Sequence, residues 1–452
     1  TAHAGAGRRD LDQIVQTALD RVVLLAQHAQ VHRARRVRAR ERRGSVVELR
    51  FHRARRHGGE ASDARRRLTR VAKGRIEANA TAEMRARSAV RAATRAIERA
   101  MTTQSATTTT ARSATTTATT TLCVVTHEKL LNSRPLTERL RAETPRAFDV
   151  VVVSNEEEID KMRRERADGD LAMLWWFATK EVTTAFASRR DVAERVKWMH
   201  SGSAGVDHLM AIPSVREHAS TLTNGRGAFS ASLGEWGVFA CMHFAKRVDA
   251  MRAAQRRKEW IRMTVGLIEG KKLVIVGYGD IGQHVARRAK AMGMKVCAVR
   301  RTPEKTDPND DYVENVVGFH ALKETCAKAD YVLVALPSTE ETDKMINADV
   351  LSAMKDTAVL INVGRGSTVD EDALVDALRN KKIAGAALDV FAVEPLPSDH
   401  PFYTMENVLM SFHCADLTSD YHDLALDCFI KHAEQYATNA PFTNVVDKRL
   451  GY

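Results

Sequence analysis

The chain has 452 residues, 44% of them apolar, enough for two domains that each bury a sizeable core. Its net charge is +12, but residues 1–100 hold 25 Lys and Arg against 10 Asp and Glu, an excess of 15 that leaves the remainder at −3. The basicity belongs to one segment, so the near-neutral remainder offers no electrostatic reason to expect nucleic acid as a partner. The six cysteines are scattered, without a C-x-x-C pair or metal-ligand spacing, which argues against a disulfide framework and a structural zinc. No apolar run approaches the roughly 20 residues needed to span a bilayer. The expectation is a soluble, non-secreted protein with no membrane partner and no metal.

Residues 1–100 are rich in Arg and Ala and lack a core pattern. Three readings stand side by side: a basic disordered tail, part of a targeting sequence, or an extension that is not made in the cell. Residues 101–121 are rich in Thr and Ser, and Arg112 is their one charged residue. That composition suits an organelle transit peptide starting at Met101 or a flexible polar linker. The expected location is cytoplasmic, or plastid or mitochondrial if 101–121 is a transit segment.

From Leu122 onward, strand-like and helix-like pieces alternate. Residues 122–126, 150–153, 171–175, 196–200 and 220–223 read as short strands of a first α/β unit. One long helix is expected over 231–257, with Leu233, Trp236, Val238, Ala240 and Phe244 among its apolar positions. Beyond it, 272–276, 295–299, 331–336, 358–362, 385–390 and 408–411 read as strands of a second unit, and 419–437 as a final helix. Two doubly wound domains are the economical reading.

The first strand of the second unit leads into Gly277, Tyr278, Gly279, Asp280, Ile281 and Gly282, the spacing G-x-G-x-x-G. Each glycine has a physical task. Gly277 permits the tight turn, Gly279 lets a pyrophosphate approach the backbone, and Gly282 lets helix and strand pack closely. The helix that follows, carrying Val285, Ala289 and Met292 on one side, offers free N–H groups and a positive dipole end to phosphates. Dinucleotide binding is the expected role.

Four further stretches make the pattern specific. Ser201-Gly202-Ser203-Ala204-Gly205-Val206-Asp207 precedes the glycine turn. Asp330 to Pro337, then Asn362-Val363-Gly364-Arg365-Gly366, then Ala387 to Pro395 with Asp389 and Glu394, follow it, and His413 comes late. Together these resemble the D-isomer-specific 2-hydroxyacid dehydrogenase family over roughly 122–452. The resemblance implies a Rossmann coenzyme domain (226–414) inserted into a flavodoxin-like substrate domain (122–225, completed by 415–452). An active site in the cleft between them is then expected. It also implies a homodimer, and cofactor contacts at Pro337, Thr342, Val363 and Asp389 besides the glycine turn.

Reduction of a 2-oxo acid needs a group to hold the carboxylate and an acid to protonate the developing alkoxide. Arg365 follows an apolar strand at its carboxyl end, where ligands bind in open α/β sheets, and offers a planar fork to a carboxylate. His413 also follows a strand and titrates nearest neutrality, so it can hold the proton. A carboxylate beside it favours the protonated ring. The resemblance pairs Glu394 with His413 in that way, matches Arg365 to the family's catalytic arginine, and gives the loop of Ser203, Ala204 and Gly205 to the substrate carboxylate. Around His413 the chain departs from the family. Phe412 stands where a proline is usual, and Cys414-Ala415-Asp416 replaces a small Ile-Ala-Gly run. Asp207 and Glu235 read as structural, and Trp175 and Trp176 as core or hinge packing, or else a pocket wall.

The second strand of the coenzyme unit ends in Arg300, Arg301 and Thr302, where NAD sites usually carry an acid for the ribose hydroxyls. Arginines there could pair with a 2′-phosphate, so NADP(H) is expected over NAD(H). The overall expectation is a reductase of a small 2-oxo acid such as glyoxylate or hydroxypyruvate. The alternative is a nucleotide sensor on the same scaffold, similar to the C-terminal-binding corepressors. Formate dehydrogenase, which shares the scaffold, would be expected to carry glutamine in place of Glu394.

Overall fold

A computed structural model describes residues 120–126, 134–178 and 180–452. The readings of residues 1–119 lie outside the described residues. The first α/β unit runs β1 (Thr120–Thr126), α1 (Arg134–Glu143), β2 (Phe148–Val153), α2 (Glu156–Glu165) and β3 (Leu171–Trp176). It continues with α3 (Lys180–Ala187), α4 (Arg190–Ala193), β4 (Val196–Ser201), α5 (Asp207–Met210), α6 (Pro213–Arg216) and β5 (Thr221–Asn224). Its five strands are parallel and ordered β2-β1-β3-β4-β5. That is the flavodoxin-like order. Central β3 is buried along its whole length, which is why it reads as an unbroken apolar run. The start of α2 shows how local sequence sets an element boundary. Asn155 accepts from the Glu158 N–H at 2.9 Å, Glu158 reaches back to the Ser154 N–H at 2.7 Å, and arginines 163 and 164 close the last turn.

Two helices, α7 (Ser230–Ala245) and α8 (Val248–Arg257), lead to the second unit. It runs β6 (Lys272–Val276), α9 (Asp280–Ala291), β7 (Lys295–Val299), β8 (Asn315–Val317), α10 (Leu322–Ala327) and β9 (Tyr331–Val334). Then come α11 (Ala348–Ala353), β10 (Val359–Asn362), α12 (Glu371–Arg379), β11 (Gly385–Leu388) and β12 (Val408–Met410). All seven strands are parallel, in the order β12-β11-β10-β9-β6-β7-β8. This is the Rossmann order with one strand added, and its switch point falls between β6 and β9.

The single helix expected over 231–257 is two helices. Arg247 adopts φ +53, and the Ala245 carbonyl, which a continuous helix would use internally, accepts from the Gly266 N–H at 2.7 Å. A distant segment thus ends α7. The three-residue edge strand β8 was not expected from the sequence.

The last helix, α13 (Tyr421–Ala437), returns to the first sheet. Leu426, Phe429, Ile430 and Ala433 share a core with Leu122, Leu174 and Trp198, and the Trp198 ring stacks on Phe429 at 5.8 Å. No described helix is long and apolar enough to cross a membrane.

Candidate active site

The loops that matter all leave the carboxyl ends of strands. After β6, Gly277 takes φ +100, and a Cβ there would lie 2.5 Å from the Ala335 carbonyl oxygen of the neighbouring strand's loop. A side chain is excluded by the turn itself. At Gly279 a Cβ would meet nothing within 4 Å, so this stretch of backbone is open to a ligand. At Gly282 it would lie 2.5 Å from the Gly277 carbonyl oxygen, the close packing the motif predicts. The turn and the first N–H groups of α9 therefore fit a dinucleotide pyrophosphate. Asp280 Oδ2, in the first turn of α9, is buried without a hydrogen-bond partner. Tyr278 lines the turn only through its backbone. Its ring is buried and its hydroxyl donates to Asp310 at 2.7 Å. Ile281 packs against the core.

At the end of β7, Arg300 is half-buried and donates to Thr306 Oγ1 at 3.2 Å. Arg301 pairs with Glu341 at 3.5 Å and lies 5.4 Å over the Tyr452 ring, and Thr302 leads into a short 3-10 turn. Thr342 is buried and donates to the Pro337 carbonyl at 2.7 Å, so its hydroxyl holds the loop after β9 in shape. Val363, after β10, is buried in the core.

Arg365 and the loop after β4 meet. Arg365 Nε donates to Asp207 Oδ2 at 2.8 Å and Nη1 to the Gly364 carbonyl at 2.8 Å. Its Nη2 lies only 1.5 Å from where a Cβ on Gly205 would stand. The guanidinium thus rests on Gly205, and a side chain there would displace it. The carbonyls of Ser203 and Ala204 are tied back, to the Gly225 N–H at 3.0 Å and to Asn224 Nδ2 at 2.6 Å. Asp207, read from the sequence as structural, is drawn into the site as the residue that aims Arg365. Glu235 stays at the surface, 3.6 Å from Arg288. Trp175 and Trp176 are each only 4% exposed, so they are core rather than pocket wall. Trp176 supports the loop from beneath, its Cε3 lying 3.0 Å from a Cβ placed on Gly202.

His413 Nδ1 lies 2.7 Å from Glu394 Oε2, while Glu394 Oε1 accepts from the Phe391 N–H at 2.9 Å. The Glu394 hydrogen bond outweighs burial and the Arg365 charge and holds the imidazole pKa above its ordinary value. Burial works to raise Glu394, but the His413 bond, the Phe391 N–H and the charges of His413 and Arg365 prevail and keep it below the usual carboxylate value. The two directions agree, and both favour the charged pair. Phe412 and His413 sit at φ +54 and +53, with the Cys414 N–H closing the turn onto the Ser411 carbonyl at 3.2 Å. Two successive left-handed residues are the backbone of a type I′ turn. This is how the chain presents the histidine without the proline and glycine of the family pattern. Asp389, buried after β11, braces the turn by accepting from Ser411 Oγ at 2.6 Å and from the N–H groups of Cys414 and Ala415 at 3.0 and 3.1 Å. Asp416 lies in the same surroundings, its carboxyl raised first by burial and then by Asp389.

Comparisons with known proteins bear on the family. Residues 238–415 match the family model for the D-isomer specific 2-hydroxyacid dehydrogenase, NAD binding domain. The glyoxylate reductase of Thermococcus onnurineus is 31% identical over 301 residues, covering 64% of this chain and 87% of that protein. A D-isomer specific 2-hydroxyacid dehydrogenase family protein from Aeromonas salmonicida superposes with a TM-score of 0.62 at 26% identity, over 73% of this chain and 99% of its own. The D-isomer specific 2-hydroxyacid dehydrogenase of Xanthobacter autotrophicus Py2, solved with NADPH and MES, gives 0.60 at 26%, with coverage of 73% and 99%. The chain belongs to the D-isomer specific 2-hydroxyacid dehydrogenase family of NAD(P)-dependent oxidoreductases.

Proposed function

We propose that this protein reduces a small 2-oxo acid, glyoxylate or hydroxypyruvate, to the D-2-hydroxy acid with NADPH as the preferred cofactor. One observation carries the reading. His413 turns Nδ1 to Glu394 at 2.7 Å, which directs Nε2 away from the carboxylate, in the same site as an Arg365 aimed by Asp207. Arg365 binds the substrate carboxylate through the N–H groups left by Asp207 and Gly364, and the backbone of Ser203, Ala204 and Gly205 closes the other side. The reduced nicotinamide supplies the hydride. Glu394 keeps His413 charged, and His413 holds on Nε2 the proton that the carbonyl oxygen takes as it becomes a hydroxyl. In the oxidative direction the neutral ring accepts that proton.

Arg300 supports the choice of NADPH, because a guanidinium at the end of β7 pairs with a 2′-phosphate where an acid would repel it. Arg301 already has Glu341 and Tyr452, so Arg300 carries the preference. The Xanthobacter relative was solved with NADPH and the Thermococcus relative is named a glyoxylate reductase, which favours the same cofactor and substrate class here. We further infer a homodimer through the coenzyme domain. Behind α8, Trp260 is 96% exposed and Leu267 63%, with Ile261 and Val265 also outside, an apolar strip suited to a second copy.

The test follows the oxidation of NADPH or NADH with glyoxylate, hydroxypyruvate and pyruvate, in the wild type and in Arg300→Asp. Turnover with NADPH that shifts towards NADH in the variant is the expected result. Turnover with NADH alone would reject the cofactor preference and keep the reaction. Tight cofactor binding without turnover of any acid would favour the nucleotide sensor.

A further inference from the structure

Away from the cleft, the face of the first sheet under α13 holds a second cluster of chemistry-bearing side chains. His200 on β4 and His432 on α13 are both fully buried, and Cys428 lies one turn before His432. One ligand atom from each of the three lies within 4.8 Å of the others. His200 Nε2 is buried without any hydrogen-bond partner, a costly arrangement for a polar atom unless something else meets it. We propose that His200, Cys428 and His432 bind one zinc ion, which pins α13 to β4 behind the loop of Ser203, Ala204 and Gly205.

The outer sides of the two rings are arranged as metal-binding histidines require, each with its far nitrogen held. His200 Nδ1 lies 2.8 Å from Thr223 Oγ1. That hydroxyl also accepts from Trp198 Nε1 at 3.0 Å and can give its own proton to the Met199 carbonyl at 3.4 Å. With those bonds satisfied, His200 is protonated on Nδ1 and its bare Nε2 faces the cluster. His432 Nε2 lies 2.9 Å from the Thr443 carbonyl, and its Nδ1 lies 3.9 Å from Cys428 Sγ. Nδ1 also lies 2.8 Å from the Cys428 carbonyl oxygen, so the ring must turn from it to meet the metal.

A tetrahedral zinc ion with N and S ligands places those atoms roughly 3.3–3.6 Å apart, so the cluster must contract by about 1 Å. The Asn224 carbonyl oxygen, 3.8 Å from Sγ, is in reach of a fourth position. Cys428 would ligate as the thiolate, giving up its proton as the metal binds. Cysteine spacing gives no hint of the site, because two ligands are histidines and one comes from a strand far earlier in the chain.

The test titrates cobalt(II), as a coloured stand-in for zinc, into the chelator-treated full chain. One equivalent should produce a thiolate-to-cobalt charge-transfer band in the near ultraviolet and tetrahedral bands in the visible, all displaced by zinc. Cys428→Ser should lose the near-ultraviolet band while melting like the metal-free wild type, and Cys428→Ala should do the same. Cys414→Ser should keep it. Zinc should raise the wild-type melting midpoint and leave that of Cys428→Ser unmoved. Absence of the band in the wild type, or its survival in both Cys428 variants, would overturn the proposal.

Discussion

Asp207 and Arg365 share a hydrogen bond of 2.8 Å that joins the first turn of α5, after β4, to the loop after β10. Two sheets thus contribute to the aim of one guanidinium. Asp207 occupies Nε, which fixes the plane of the fork, and in the proposed function the N–H groups around Nη2 take the substrate carboxylate. A hydrogen bond to a charged group contributes about 1.5–3 kcal/mol. Asp207→Ala should therefore raise KM for the 2-oxo acid roughly ten- to hundredfold, with a smaller change in kcat. Steady-state kinetics of the variant would check this. Equal losses in kcat and kcat/KM would mean that Asp207 acts in the transition state and not in placing the carboxylate.

Gly205→Ala tests the contact on the other face of the same guanidinium. A methyl group there would stand 1.5 Å from Nη2, so either Arg365 or the loop must move. Because a misplacement of about 1 Å can cost on the order of a hundredfold in rate, kcat/KM should fall by about that factor. Cofactor affinity, measured by fluorescence titration, should be unchanged, since Gly277, Gly279 and Gly282 lie in a different loop.

These two contacts also mark the limit of what the sequence shows. The glycine turn is legible because Gly277 and Gly282 answer backbone demands that no other residue meets, and the strands because both faces of each sheet are covered. The break between α7 and α8 is not legible, since the Gly266 N–H that captures the Ala245 carbonyl lies far along the chain. Asp207 reads as structural until Arg365 arrives from the other sheet. Around His413 the sequence shows only that a proline and a glycine are missing. The left-handed turn of Phe412 and His413, braced by Asp389, becomes visible once β11 and β12 stand side by side.

The apolar strip after α8 gives a prediction about assembly. Trp260 is 96% exposed, and a tryptophan of this size covers about 150–250 Å² when it is buried. Trp260→Asp should shift the species seen by light scattering from two chains towards one. Two chains in both wild type and variant would place the dimer contact elsewhere.

The pH dependence of reduction follows from the Glu394–His413 pair. Reduction consumes a proton held on His413, so kcat/KM should be flat while the ring is charged and fall as pH rises through its pKa. The hydrogen bond to Glu394 holds that pKa above the ordinary 6.5, so the basic limb lies above that value. Glu394 keeps its charge down to a pH below the ordinary 4.5, which extends the plateau on the acid side. Glu394→Gln removes the main cause of the raised value and leaves burial and Arg365, which lower it, opposed only by the smaller effect of Asp389, so the basic limb should move to lower pH. His413→Asn should lose about 10²–10⁴-fold in kcat/KM and the limb itself. Stability obeys the same sign. A group whose pKa is raised by folding contributes fully below its unfolded value, and the contribution is lost as pH rises through the folded one. The melting midpoints of wild type and Glu394→Gln should therefore differ most in mildly acidic buffer, above the Glu394 pKa, and converge above the basic limb. A basic limb that stays in place in Glu394→Gln would assign it to a group other than His413.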